Sequence, residues 1–258
     1  MRQYHSNQNA NFLEAISDPN CPLQTIIDLF NQGGIDLNFR DTDGAYEDDD
    51  ELHGDTALHR AVKARRIDVC EFLLNNGANI NVTNVFEETP LHLSAQGGNI
   101  QGSFFLLHRG ADTTLLNYNG HNVFHCAVIS GNLPLCEIIW ANVQNINVNA
   151  FDFDHQTVLH IALNLRDPDI KLFKFLLQIG ATDLENANQE KASKIASDIN
   201  LHDISSLIKN AGNMQVLLSA RQIQRVGARS ALRRVKPELM PLVKGALEGN
   251  PRDGNQGR

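Results

Sequence analysis

TPLHLSAQGGNIQGSFFLLHRGA, residues 89–111, recurs along the chain. Thirty-three residues earlier stands TALHRAVKARRIDVCEFLLNNGA, residues 56–78, and thirty-three later NVFHCAVISGNLPLCEIIWANVQ, residues 122–144. The histidines of these copies are His59, His92 and His125, and a fourth, His160 in TVLHIALNLRDPDIKLFKFLLQIGA, follows after 35. The two extra residues of that step fall near 144–148, outside the expected helices. A fixed period of this length means stacked supersecondary units, none of which can bury its apolar face alone.

Each copy repeats the same physics. Thr56, Thr89 and Thr157 stand where a hydroxyl can cap a first helix by accepting an orphan amide hydrogen. Leu58, Leu91, Phe124 and Leu159 are expected in the core, with Ala61, Ser94, Ala95, Ala127 and Ala162 allowing close approach of the next helix. Gly98 and Gly131 make the turn between helices, whereas Arg65 and Arg66 replace the glycine in the first copy. Phe72, Leu73, Phe105, Leu106, Ile138, Ile139, Leu176 and Leu177 supply the seam of the second helices. Some residues depart from the pattern. Val143 replaces a stop glycine and Trp140 a leucine, so the turn after them is expected to differ. Gly102 and Pro134 are expected to cost or shift helix locally, and NLRDPD lengthens one turn by two residues.

The units resemble the ankyrin repeat, with its T-P-L-H box, glycine turn, leucine-ended second helix and G-A-D/N segment. The resemblance implies an all-α solenoid of stacked helix pairs with β-hairpin fingers, followed here by a C-terminal helical segment. Residues 1–39 read as a degenerate N-terminal cap, in which FLEAI supplies a short helix, DPNCP a turn and LQTIIDLFNQGGIDLN a second helix with its glycine stop. Residues 40–53 read as an acidic insertion, 54–186 as four repeats, 187–212 as a closing cap and 213–258 as a basic amphipathic tail with a disordered end. In this family the repeat histidine is structural, its ring bonded to backbone near the hairpin.

Composition narrows the functional classes. The formal charge of −8 divides into −14 for residues 1–212 and +6 for residues 213–258, two regions suited to different partners or to each other. No apolar run is long enough to span a bilayer, and the N-terminal MRQYHSNQNANF lacks the apolar region of a secretory signal. Cys21, Cys70, Cys126 and Cys136 form no C-x-x-C pair and read as free thiols, three of them buried. A soluble monomer of the cytosol is expected. The 28 asparagines fit an A/T-rich genome, as some intracellular bacteria have, and such bacteria deliver arrays of this kind into hosts, so a bacterial effector in host cytosol is one origin.

Catalytic, cofactor-binding and metal residues are expected to be absent. The chain holds no nucleophile elbow, P-loop, H-E-x-x-H or kinase signature. Histidines of successive units, about 10 Å apart in packed helix layers, are too distant to share an ion held at about 2.1 Å. The acidic residues of 40–53 lack calcium-loop spacing and read either as a solvated loop or as a steering patch for a basic partner.

Binding is the expected activity, with a protein partner bearing basic anchors and no small-molecule substrate. Carried over from the family, the fingertip positions are Val85, Phe86, Tyr118, Asn119, Phe153 and Asp154, with Lys63, Gln96, Ile129 and Asn164 at the matching point of the first helices. Aromatics at such tips either meet a partner or cover the neighbouring finger. Glu87, Glu88, Asp152 and Asp154 would favour a cationic partner. In the tail, Arg221, Arg225, Arg229 and Arg233 recur every four residues on one helical stripe. That segment reads three ways: an extra capping helix, a binder of anionic nucleic acid or membrane, or a mask over the acidic array.

Overall fold

A computed structural model of the chain describes residues 2–40 and 54–213. The acidic stretch from 41 to 53 and the arginines 221, 225, 229 and 233 lie outside the described residues. Twelve helices are described, in six consecutive pairs: α1 Arg2–Ser17 and α2 Leu23–Asn31, α3 Ala57–Lys63 and α4 Ile67–Asn75, α5 Pro90–Gln96 and α6 Ile100–His108, α7 Val123–Ile129 and α8 Leu133–Asn142, α9 Val158–Leu163 and α10 Ile170–Gln178, α11 Ala192–Asp198 and α12 His202–Asn213. The odd-numbered helices stack in one row, α1 on α3 through α9 on α11, while α4, α6 and α8 form a second row behind them and α10 packs on α12. Ten of the twelve span only six to ten residues, too short to hold their shape alone in water, so stacking is what keeps them folded.

The apolar positions explain the stacking. Leu58, Leu91, Phe124 and Leu159 are buried, with Ala61, Ala95, Ala127 and Ala162 beside them on the row of first helices and Leu73, Leu106, Ile139 and Leu176 on the second row. These side chains belong to one continuous cluster running from Phe12 to Ile208. Between α5 and α6 the close approach is polar, with the buried Ser94 and Ser103 hydroxyls 2.8 Å apart.

Each T-x-x-H box acts at both ends of its imidazole. Thr56, Thr89, Asn122 and Thr157 are the N-caps of α3, α5, α7 and α9, and in each the N-cap backbone N–H donates to Nδ1 of the histidine three residues on. Asn122 takes the place of threonine and accepts from the Phe124 and His125 amides, a cap that the sequence pattern of threonines passed over. The opposite nitrogen, Nε2, donates to a carbonyl of the following finger: Glu88 at 2.9 Å from His59, Leu115 at 3.1 Å from His92, Ala150 at 3.2 Å from His125 and Glu190 at 3.1 Å from His160. A carbonyl can only accept, so Nε2 carries the proton and Nδ1 is left as the acceptor. Burial, which penalises a charged ring, pushes His59, His92 and His125 down to about 4.

Several expectations change. The first helix begins at Arg2, well before FLEAI, and carries Phe12, Leu13 and Ile16 into the core. No strand occurs among the described residues apart from an isolated Glu185–Lys191 bridge, so the fingers are turns and not paired strands. Pro134 lies in the first turn of α8 behind the Asn132 cap, where its missing N–H costs nothing. Gly102 is required by close approach: a Cβ there would stand 2.5 Å from Nδ2 of Asn99, the residue that caps α6 and reaches back to the Val62 carbonyl. After Trp140 the helix ends without a glycine, Val143 is extended and the left-handed turn falls on Asn145. Among the described residues no helix is long and apolar enough to cross a membrane.

Two outcomes follow from burial. The unfolded chain binds protons on its histidines near pH 6.5 while the folded chain holds His59, His92 and His125 neutral down to about 4. Their contribution is therefore complete above pH 6.5 and is lost as pH falls towards 4, by up to about 1.4 kcal/mol per pH unit for each ring. Urea midpoints measured from pH 7.5 to 4 are expected to fall through that window; a flat profile contradicts it. Cys70, Cys126 and Cys136 are buried, and burial pushes the thiols of Cys70 and Cys136 up to about 12 and that of Cys126 further. A thiol reagent is expected to label Cys21 first and these three only with global unfolding, read by mass spectrometry along a denaturant series.

Candidate functional site

Four fingers among the described residues are each built from one five-residue turn. In residues 84–88 the Asn84 amide donates to the Glu88 carbonyl, the Glu87 amide donates back to the Asn84 carbonyl, and Asn84 Oδ1 accepts from the amides of Phe86 and Glu88. Asn117, Asp152 and Asn186 repeat the arrangement in their own turns. All four side chains are buried. The fourth residue of each turn has positive φ: Glu87, Gly120, His155 and Gln189. Sequence reasoning missed this Asx series, although an Asn or Asp eight residues before each of His92, His125 and His160 was legible as a periodic signal.

Because the side-chain oxygen takes up the turn amides, the two outermost residues of each turn are thrust into solvent. Val85, Phe86, Tyr118 and Phe153 are exposed, Tyr118 and Phe153 by 67% and 66%. Asn119 and Asp154 are exposed too. Neighbouring tips exchange one backbone hydrogen bond each, Tyr118 N–H to the Phe86 carbonyl at 2.9 Å and Phe153 N–H to the Asn119 carbonyl at 3.0 Å. One bond per pair is too short a ladder to register as a strand. Leu116 and Phe151, at the turns' approaches, are exposed as well and were not foreseen. Of the seven exposed large hydrophobic residues in the described part, only Ile199 lies off the fingers.

The predicted residues do not form one surface. Lys63, Gln96, Phe86, Tyr118 and Asn119 line an open groove of about 630 Å³ together with Glu88, Leu93, Gly97 and Asn117. Val85, Phe153 and Asp154 stay on the finger rim outside it. Ile129 is half-buried against the core, which accounts for its apolar character, and Asn164 is the exposed C-cap of α9. Phe153 does cover its neighbour: a Cβ on Gly120 would stand 2.6 Å from its ring and 2.9 Å from its backbone nitrogen.

Behind the groove lining runs a buried polar chain that ties the α3 end to the finger. Lys63 Nζ pairs with the buried Asp55 carboxylate, whose other oxygen accepts from Asn84 Nδ2 at 3.1 Å. Burial works to raise the Asp55 carboxyl, but the bonds from Lys63 and Asn84 and the Lys63 charge outweigh it and hold the carboxyl below its usual range. Asn84 Nδ2 also donates to Glu88 Oε2 at 3.1 Å, which orients that carboxylate in the groove wall. One unit further on, His121 Nε2 meets Asp152 Oδ2 at 3.2 Å. Arg65 on the rim donates to the Gly97 carbonyl at 3.0 Å. The arrangement offers aromatic faces, an oriented carboxylate and amides to a ligand. Among the described residues no three His, Cys, Asp or Glu side chains are grouped to hold a metal ion.

Gly120 gives a test of this geometry. Glu87, His155 and Gln189 adopt the same φ, so backbone conformation alone does not demand glycine at 120; the approach of Phe153 does. Gly120→Ala is expected to cost about 1–3 kcal/mol of stability in urea melts. Phe153→Ala in that background is expected to recover part of it, and a neutral Gly120→Ala contradicts the packing.

A family model described as "Ankyrin repeats (3 copies)" matches residues 14–117, 58–152 and 91–188. No curated protein matches the chain. Ankyrin repeats generally mediate protein–protein interaction and are typically non-catalytic. The matched stretches overlap to cover most of the chain, and the paired helices, capped boxes and fingers run through all of them: the chain belongs to the ankyrin-repeat family.

Proposed function

We propose that this array is a non-catalytic adaptor that holds a protein partner between its fingers and first helices. The observation that carries the reading is the convergence of Phe86, Tyr118 and Asn119 from two fingers with Lys63 and Gln96 from two helices on one groove. The tip aromatics stand outside the core cluster, while on a partner they bury large area at small entropic cost. Glu88 in the groove, with Glu87 and Asp154 exposed on the rim, favours a partner that presents basic anchors. Four free cysteines, three of them buried, suit a reducing compartment such as the cytosol, and host cytosol for a delivered bacterial effector. Among the described residues the first and last helix pairs each have a neighbour on one side only, which suits them as caps of a monomeric stack.

A second reading rests on the charge split: the +6 balance of residues 213–258 suits phosphate-bearing nucleic acid or membrane, with the array only displaying that segment. The two separate in one affinity-capture experiment. The Phe86, Tyr118 and Phe153 triple alanine variant is expected to retain its circular dichroism and melting profile while capturing at least ten times less of a partner that the wild type retains. A full-length chain lacking the four arginines is expected to retain it. Loss only in the arginine variant, with steep salt dependence, favours the second reading and overturns the first.

A further inference from the structure

The groove has a chemistry that its shape does not disclose. Phe86 and Tyr118 stand on adjacent fingertips joined by a backbone hydrogen bond, and Glu88 stands beside them with its carboxylate oriented by Asn84. A planar cation against aromatic faces, with a carboxylate at its edge, is the arrangement in which guanidinium is bound most favourably, because π faces and carboxylate attract the same charge from different directions. The cations nearby do not reverse the sign. Lys63 is paired with Asp55, Arg65 is turned to the Gly97 carbonyl and Arg40 to the Thr83 hydroxyl, while the Glu88 carboxylate is held by a neutral amide.

We infer that this groove is a guanidinium site whose occupant is the chain's own C-terminal segment, residues 214–236, so that the array carries a competitor for its partner. The inference rests on the groove reading above and adds the ligand's chemistry and source. That segment, MQVLLSARQIQRVGARSALRRVK, holds arginines at 221, 225, 229, 233 and 234 and no carboxylate. Residues 1–212 carry −14 and residues 213–258 carry +6, so attraction between the two is built into the composition. Reach is sufficient. The described chain ends in α12 at Asn213, in the sixth helix pair, and the groove lies at the second to fourth, about 30 Å away at about 10 Å per layer. An extended chain covers that distance in about ten residues, which places Arg225, Arg229 and Arg233 within range. A tethered occupant acts at an effective concentration of roughly millimolar, so weak individual contacts suffice to hold it.

The test uses full-length chains and a fluorescein-labelled synthetic peptide of residues 214–236, with binding read by anisotropy. In the wild type the site is filled from within, so the peptide is expected to bind at least ten times more weakly than to the Arg221→Gln, Arg225→Gln, Arg229→Gln, Arg233→Gln variant. Adding Glu88→Gln or Tyr118→Ala to that variant is expected to weaken the peptide by at least tenfold. Both changes leave the fold intact, since Gln keeps an oxygen for Asn84 and Tyr118 is exposed, and circular dichroism checks this. Equal affinity for wild type and arginine variant, or no binding to either, overturns the inference. So does binding that is indifferent to Glu88 and Tyr118 but lost on Ile199→Glu, which puts the segment over the end of the stack. Any of these leaves the triple alanine capture result untouched, so the adaptor reading stands or falls separately.

Discussion

The fold depends on an imidazole that is hydrogen bonded at both ends and kept dry. In each box the N-cap amide donates into Nδ1 and Nε2 donates out to the next finger, so one ring closes the start of its own helix and fastens the unit that follows. In the His59, His92 and His125 boxes burial keeps the ring neutral, as this arrangement requires. A proton on Nδ1 would set donor against donor at the cap, and the surrounding burial would leave the charge unsolvated. Because the bond runs from one unit to its neighbour, the coupling is repeated at every step from His59 to His160. Stability then arises from neighbour contacts and not from any single pair of helices.

A second constraint sits at the fingers. Asn84, Asn117, Asp152 and Asn186 spend their side-chain oxygens on turn amides, which frees the fingers from the need to pair as strands. The outcome is a row of tips connected by single backbone bonds, carrying aromatic and aliphatic side chains that the core does not need. Partner recognition by such a surface depends on which tips face a common groove, and here Phe86 and Tyr118 do while Phe153 lies over Gly120.

Parts of this were readable in the residues. Leu58, Leu91, Phe124 and Leu159 announced the core because an apolar residue one place before a repeating histidine keeps its helix face at every copy. Gly102 and Pro134 misled, since propensity counts them as costs while the Asn99 cap and the first turn of α8 make them fit. Asn122 was overlooked because its amide oxygen does the work that hydroxyls do elsewhere. The candidate contact residues split for a similar reason: Ile129 and Asn164 share a position with Lys63 and Gln96 in the pattern, but one leans on the core and the other ends a shortened helix.

Periodicity by itself determined the four repeated helix pairs, their buried faces and the family, because each follows from which residues recur at a spacing of about 33, whereas the start of α1 at Arg2 lay outside that pattern. The groove was decided only by tertiary structure. Lys63, Glu88 and Tyr118 lie in three different units and share no local pattern, and stacking brings them to one surface. The state of Asp55 was likewise invisible in the chain order, since it depends on Lys63 and Asn84 meeting one buried carboxylate from separate elements. A repeat fixes what each unit does alike; the differences between units acquire meaning only when packing sets them side by side.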